Sequence, residues 1–159
     1  MSPQRIIHAT FSIERHYPHA PEKVFQAFAD PAKKPQWFAE VEGFELKSFE
    51  MDFRILGRET CEFIHPGGPQ RYREGRNDTI YMDIVENRHI VIAYIMTFGD
   101  HCMSSSQTSM EFVPDGDQTR LVFTEQAAFF DDADGPQLRE DGTQWLLDRL
   151  GQKLKEWAS

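Results

Sequence analysis

Cysteine is scarce in this chain: 159 residues contain only Cys61 and Cys102. They lack a CxxC spacing, so neither a disulfide framework nor a zinc site has its usual carriers. No apolar run approaches the roughly 20 residues a membrane-spanning helix needs. The N-terminal stretch MSPQRIIHATFSIERHY also lacks the apolar core of a secretory signal, so the expected compartment is cytoplasmic. Positive charge is in deficit, with 17 Lys and Arg against 26 Asp and Glu and a net charge of -9. That balance opposes binding to a phosphate backbone, and no nucleic-acid partner is expected. Catalytic motifs are missing too: there is no GxSxG, no HExxH and no GxGxxG after a strand. Gly67-Gly68 between prolines reads as a hairpin turn, and Ser104-Ser105-Ser106 as a loop or strand edge. The six histidines form no i, i+4 pair, so neither a metal nor a cofactor is expected.

Aromatic residues, by contrast, are plentiful: thirteen Phe, four Tyr and three Trp. They suit a large core or an apolar pocket. Apolar residues make up 40% of the chain and charged ones 27%, which is globular composition. The length predicts one domain, residues 1–159, burying roughly 70% of the surface its unfolded form exposes.

ATFSIERHY, from Ala9 to Tyr17, alternates Phe11, Ile13 and Arg15 with Thr10, Ser12 and Glu14 and reads as a first strand. HAPEKVFQAFADP follows, with Pro21 near a helix start and Val24, Phe25 and Phe28 at helical spacing before Asp30-Pro31. AKKPQWFAE carries a second short helix with Trp37 and Phe38. Further strands are predicted over Phe44–Phe53, Glu59–His65, Gln70–Asn77, Ile80–Val85, Ile90–Phe98, Ser106–Val113 and Arg120–Ala128. Turn signals such as Glu86-Asn87 and Gly99-Asp100 separate most of them. Such short links make an antiparallel meander rather than a series of βαβ crossovers.

GPQLREDGTQWLLDRLGQKLKEW, from Gly135 to Trp157, reads as a long amphipathic helix. Leu138, Trp145, Leu146, Leu150, Leu154 and Trp157 form its predicted buried stripe. Arg139, Glu140, Asp148, Arg149, Gln152 and Lys155 fall largely opposite. Gly142 sits on the stripe side, where glycine costs about 1 kcal/mol of helix propensity. Close packing of the helix backbone on the sheet is the expected reason, and room for a cavity is the alternative. The acidic stretch before the helix, FFDDADGPQ, reads as a solvated loop and cap region.

The segments APEKVFQAFADPAKKPQWF, EMDFRILGRE, YMDIVENRHIVIAYIM and TRLVFTEQAAFFDDADGPQLREDGTQWLLDRLGQKL occur in this order. The chain thereby resembles the START-like (SRPBCC) superfamily, and within it the family named after the activator of the ninety-kilodalton heat-shock protein's ATPase. The resemblance covers about Glu14 to Leu154. It implies an α+β helix-grip fold: a curved antiparallel β-sheet wrapped around a long C-terminal α-helix, with two short helices after the first strand. It also implies a cavity between sheet and helix that in related families admits an apolar or amphipathic small molecule.

Inward strand faces supply Phe53, Phe63, Tyr81, Tyr94, Met96, Met110, Phe112 and Phe123 as cavity candidates, with Trp145 from the helix. Tyr94, Met96 and Phe98 share one face, and Ala93, Ile95 and Thr97 the other. Both faces are largely apolar, so the pattern alone leaves the inward one open. Glu125 shares parity with Leu121 and Phe123, so a carboxylate points inward if they do. Its expected partner is an arginine such as Arg54 or Arg73, and a polar anchor for a ligand is the other reading.

The leading expectation is a non-enzymatic module that binds a small apolar or amphipathic molecule, including lipids, between sheet and helix. A chaperone-modulating or regulatory protein partner is the alternative, and a cavity enzyme of cyclase, dehydratase or hydrolase type is a third. A homodimer stays open.

Overall fold

Residues 5–130 and 135–159 are described by the computed structural model, apart from the side chain of Arg71. Seven strands form one antiparallel sheet, in chain order β1 (Ile7–Tyr17), β2 (Glu45–Met51), β3 (Arg58–Ile64), β4 (Glu74–Val85), β5 (His89–Phe98), β6 (His101–Asp115) and β7 (Gln118–Phe129). Three helices complete it: α1 (Pro21–Ala29), α2 (Lys34–Phe38) and α3 (Pro136–Ala158). The spatial order is β1-β7-β6-β5-β4-β3-β2. Neighbours in sequence pair from β2 to β7, and β1 closes on β7 after the excursion through α1 and α2. This is the predicted α+β helix-grip arrangement. Register shifts at Leu46/Ser48, Tyr81/Asp83 and Met96/Thr97 mark bulges, which bend strands and let a sheet curl.

Two predicted strands are one. Gln70–Asn77 and Ile80–Val85 fuse into β4, while Gln70–Tyr72 form a turn of 3-10 helix. Asp78 and Thr79 looked like a break, but each is paired on both sides, to β3 and to β5. A central strand tolerates such residues because its neighbours satisfy the backbone. Likewise β6 runs from His101, so Ser104-Ser105-Ser106 lies inside a paired strand rather than in a loop.

The core explains why the two short helices sit where they do. Pro21 opens α1, and Val24, Phe25, Ala27 and Phe28 are buried. Phe25 and Phe28 meet Phe112 of β6 edge-to-face, at 5.4 and 5.3 Å between centroids. Trp37 of α2 packs on Phe28 at 4.9 Å and donates its indole N–H to the Ala27 carbonyl at 2.9 Å. An aromatic with one polar atom is best buried where that atom finds an acceptor.

The buried face of α3 is rotated from the predicted stripe. Thr143, Leu147, Leu150 and Leu154 are buried, whereas Leu138 is 63% exposed and Trp145 46% exposed. Leu146 and Trp157 pack partly against the core. The rotation follows from two arginines assigned to the solvent side. Arg139 turns inward onto the sheet, and Arg149 donates to the carbonyls of Gln36 (3.0 Å), Trp37 (3.2 Å) and Glu40 (2.9 Å) at the end of α2. These bonds satisfy helix-end acceptors that would otherwise lack partners. Gly142 is not the close-packing position expected of it, since a Cβ there would meet nothing within 4 Å. The close approach belongs to Gly151, where a Cβ would stand 3.2 Å from the Tyr17 ring. Of the acidic stretch, residues 131–134 lie outside the described residues.

Candidate functional site

The register settles which face looks inward. Glu125 pairs with Thr108, Thr108 with Ile92 and Ile92 with Tyr81, so all four stand on the concave face with Leu121, Phe123 and Phe112. Tyr94 and Met96 point the same way, because they pair with Ser106 and Ser104. Ala93 and Ile95 take the convex face.

Two adjacent rows across the concave face are unusually polar. Glu59, Thr79, Tyr94 and Ser106 are register partners from β3 to β6, and Cys61, Asn77, Met96 and Ser104 form the next row. Glu59, Thr79, Ser104, Ser106, Thr108 and Glu125 are all buried. Buried polar groups must be paired to be tolerated. Two clusters do this.

The first is built around Glu125. Arg139 from the first turn of α3 places its guanidinium 3.0 Å from Glu125 Oε2, and the side chains are only 9% and 1% exposed. Tyr94 Oη donates to the same carboxylate at 2.9–3.0 Å, Ser106 Oγ at 3.2 Å and Thr108 Oγ1 at 3.1 Å. Arg139 also donates to Tyr94 Oη at 2.7 Å and to Ser104 Oγ at 2.6 Å. Its charge stacks near the Tyr94 and Phe129 rings, 5.5 and 5.4 Å from their centroids. Burial, reinforced by the Glu125 carboxylate and opposed by Arg139, raises the Tyr94 hydroxyl pKa well above the tyrosine range. Tyr94 is therefore a neutral donor at any ordinary pH. An arginine partner for Glu125 was expected, but it is neither Arg54 nor Arg73. Arg54 pairs with Asp52 at the surface, and Arg73 is exposed.

The second cluster lies across the sheet. Lys34 of α2 donates to Glu59 Oε1 at 2.6 Å, with both side chains nearly inaccessible. The Tyr81 hydroxyl donates to the same oxygen. Burial and then the Glu59 charge raise the Tyr81 pKa. Cys61, two residues along, has its thiol pushed up to about 12, by burial first and Glu59 second. A thiol so disposed is not an activated nucleophile. Between the clusters, Asn77 Oδ1 is buried with no hydrogen-bond partner among the described residues.

Of the predicted site residues, Tyr81, Met110 and Phe112 are buried in the main core, with Phe53 and Phe123 packed against it. Tyr94 and Glu125 meet in the first cluster. Met96 stands beside it in the register, and Phe63 belongs to a separate aromatic group with Phe44, His65, Tyr72 and Phe98. Trp145 is exposed on α3, beneath the Arg149 guanidinium at 5.2 Å. Sequence reasoning missed Arg139, Lys34, Glu59, Asn77 and the hydroxyls of β6. The alternation of Ser104, Ser106 and Thr108 with Met110 and Phe112 was the available signal for the last of these. Among the described residues no three metal-ligating side chains converge, and no helix is long and apolar enough to cross a membrane.

Residues 18–155 match the family described as Activator of Hsp90 ATPase homolog 1-like protein. A crystal structure of a protein from Rhizobium loti is 44% identical, covering 94% of this chain and 99% of that one, with a TM-score of 0.84. A Rhizobium leguminosarum protein is 34% identical, covering 96% and 97%, with a TM-score of 0.88. An AHSA1-like protein from Aeromonas hydrophila, 16% identical with 94% of each chain covered, shares the fold at a TM-score of 0.69. Among curated proteins none matches.

Proposed function

The chain belongs to the Activator of Hsp90 ATPase homolog 1-like family, and from that premise we propose that it binds a small amphipathic molecule on the concave face, beside the N-terminal half of α3. One observation carries the reading: an ordered band of buried polar groups crosses an otherwise apolar floor. Buried ion pairs are poor devices for stability, because desolvation consumes most of their attraction. An apolar surface holding a few oriented polar groups is the usual design of a small-molecule site. Tyr94, Arg139 and the orphaned acceptor of Asn77 supply the polar part. Met96, Phe63 and Phe98, all partly accessible, supply the apolar part. The exposed flank of α3 at Leu138, Gly142 and Trp145 leaves that side of the helix open.

A thermal-shift panel of fatty acids, sterols and aromatic polyketides tests this, since a ligand held only by the folded state raises Tm by mass action. A dose-dependent rise that is lost in Met96→Ala and weakened in Asn77→Leu supports the site. No rise across the panel would remove the reading.

Protein recognition is a second reading, favoured by a different observation. Ile55 and Leu56 are exposed in the β2–β3 connection and Met82 is exposed on β4, and the Leu56 N–H donates to the carbonyl of the neighbouring Tyr81 at 2.7 Å. Exposed apolar clusters of this kind mark partner contacts. Purified chaperone binding that is abolished by Leu56→Asp with no change in Tm is the outcome this reading expects.

A further inference from the structure

The charged groups of the concave face are committed to one another. The two oxygens of Glu125 accept from Tyr94, Ser106, Thr108 and Arg139. The Arg139 guanidinium is in turn shared among Glu125, Tyr94, Ser106 and Ser104. Across the sheet, Glu59 holds the Lys34 ammonium, which also faces the Phe38 and Tyr81 rings at 4.7 and 6.0 Å from their centroids. Each of these buried carboxylates therefore has one buried cation, and the two pairs leave no net charge for a ligand to answer.

Two neutral groups stand between the pairs. Thr79 is only 4% exposed, and among the described residues no hydrogen bond engages its hydroxyl. Asn77 lies two residues earlier on β4, hence on the same face. Its Oδ1 is buried without a partner among the described residues, and none engages its amide nitrogen. Alternate side chains on one strand face stand about 7 Å apart, so one small head group reaches both. The register sets Met96 beside Asn77, and Phe63 and Phe98 on either side of Gly75 in the next row. All three are partly accessible, so an apolar surface leads away from the neutral pair. Resting on the concave-face reading, we propose that this site selects an uncharged amphiphile: its head both donates and accepts hydrogen bonds, as a primary carboxamide or an alcohol does, and is bound by Asn77 and Thr79, with its tail along Met96, Phe63 and Phe98. A side-chain hydroxyl and a side-chain carboxamide each offer a donor and an acceptor, which such a head matches. A carboxylate or ammonium head enters the same floor with no counter-charge, and burial of an unpaired charge is heavily penalised. No bond is made or broken in the step.

Ligands with one tail and different heads test this: decanamide, decan-1-ol, decanoate and decylammonium, each titrated by calorimetry into the full chain at neutral pH and followed through the side-chain amide resonances of Asn77. Saturable binding of decanamide and decan-1-ol that moves those resonances is expected, with decanoate and decylammonium weaker by about thirtyfold or more. Thr79→Val weakens both neutral ligands by about threefold to tenfold, without lowering Tm, because its hydroxyl has no bond within the protein to lose. Asn77→Leu weakens decanamide by a similar factor. Decanoate or decylammonium binding as tightly as decanamide, with the Asn77 resonances moving, overturns the choice of head and leaves the concave-face site standing. Binding indifferent to both substitutions overturns the assignment to Asn77 and Thr79, and absence of binding by all four ligands removes the concave-face reading with it.

Discussion

Arg139 shows how much one residue can redirect the reading of a helix. The sequence pattern placed it with the charged residues opposite the buried stripe. Glu125 reverses that argument, because a buried carboxylate on the concave face of the sheet draws the nearest cation onto itself. Truncating one partner leaves the other buried and uncompensated, so Arg139→Met should cost about 3 kcal/mol. Adding Glu125→Leu to Arg139→Met should recover most of that loss, since the orphaned charge disappears with its partner. Urea denaturation of the single and double variants checks this, and additive losses would show that the two residues are not coupled.

At the scale of elements, α3 carries two glycines in opposite situations. Gly142 faces open space in a helix interior, so Gly142→Ala should stabilise by about 0.5–1 kcal/mol. For a chain of this size that is a Tm rise of roughly 1–4 °C. Gly151→Ala brings the same propensity gain but presses a methyl on a Tyr17 ring that its own hydrogen bond holds in place. Its gain should be cancelled or reversed, and calorimetric melting of the two variants side by side tests the contrast. On β4, Gly75 plays a similar part: an added Cβ would overlap the Phe63 ring, which lies across it on the concave face. Gly75→Ala should therefore cost about 1–3 kcal/mol, the usual penalty of overpacking.

For the molecule as a whole, alkaline pH is the predicted weakness. Tyr17 and Tyr94 are raised by burial, as is Cys61, whose thiol is held near 12 against an ordinary value of 9. An acid whose folded pKa lies above its unfolded one binds more protons in the folded state. Its contribution is complete below the unfolded pKa and is lost as pH rises through the folded one. Melting temperature should accordingly fall as pH rises above about 9. Cys61→Ala should fall less steeply between pH 9 and 11, and parallel curves would exclude the thiol as a contributor. Iodoacetamide at pH 8.5 should label the more accessible Cys102 first and reach Cys61 only through unfolding.

Periodicity and turn chemistry by themselves determined the element order of this protein. Two short helices bounded by Pro21 and Asp30-Pro31, hairpin turns at Asn87 and Gly116 and a long terminal helix are local facts that the chain encodes locally. The parity that aims Glu125 inward with Leu121 and Phe123 is likewise a property of one strand. Only the tertiary structure decided which side chains answer one another. Glu125 on β7 meets Arg139 on α3 fourteen residues away, and Lys34 meets Glu59 across twenty-five. Neither partner is marked by spacing, because long-range pairing depends on how the curved sheet and the helices are set against each other. The same packing rotated α3 away from its hydrophobic stripe. It left Trp145 outside, because hydrogen bonds from Arg149 and the demand of a buried carboxylate outweighed the burial of one aromatic ring.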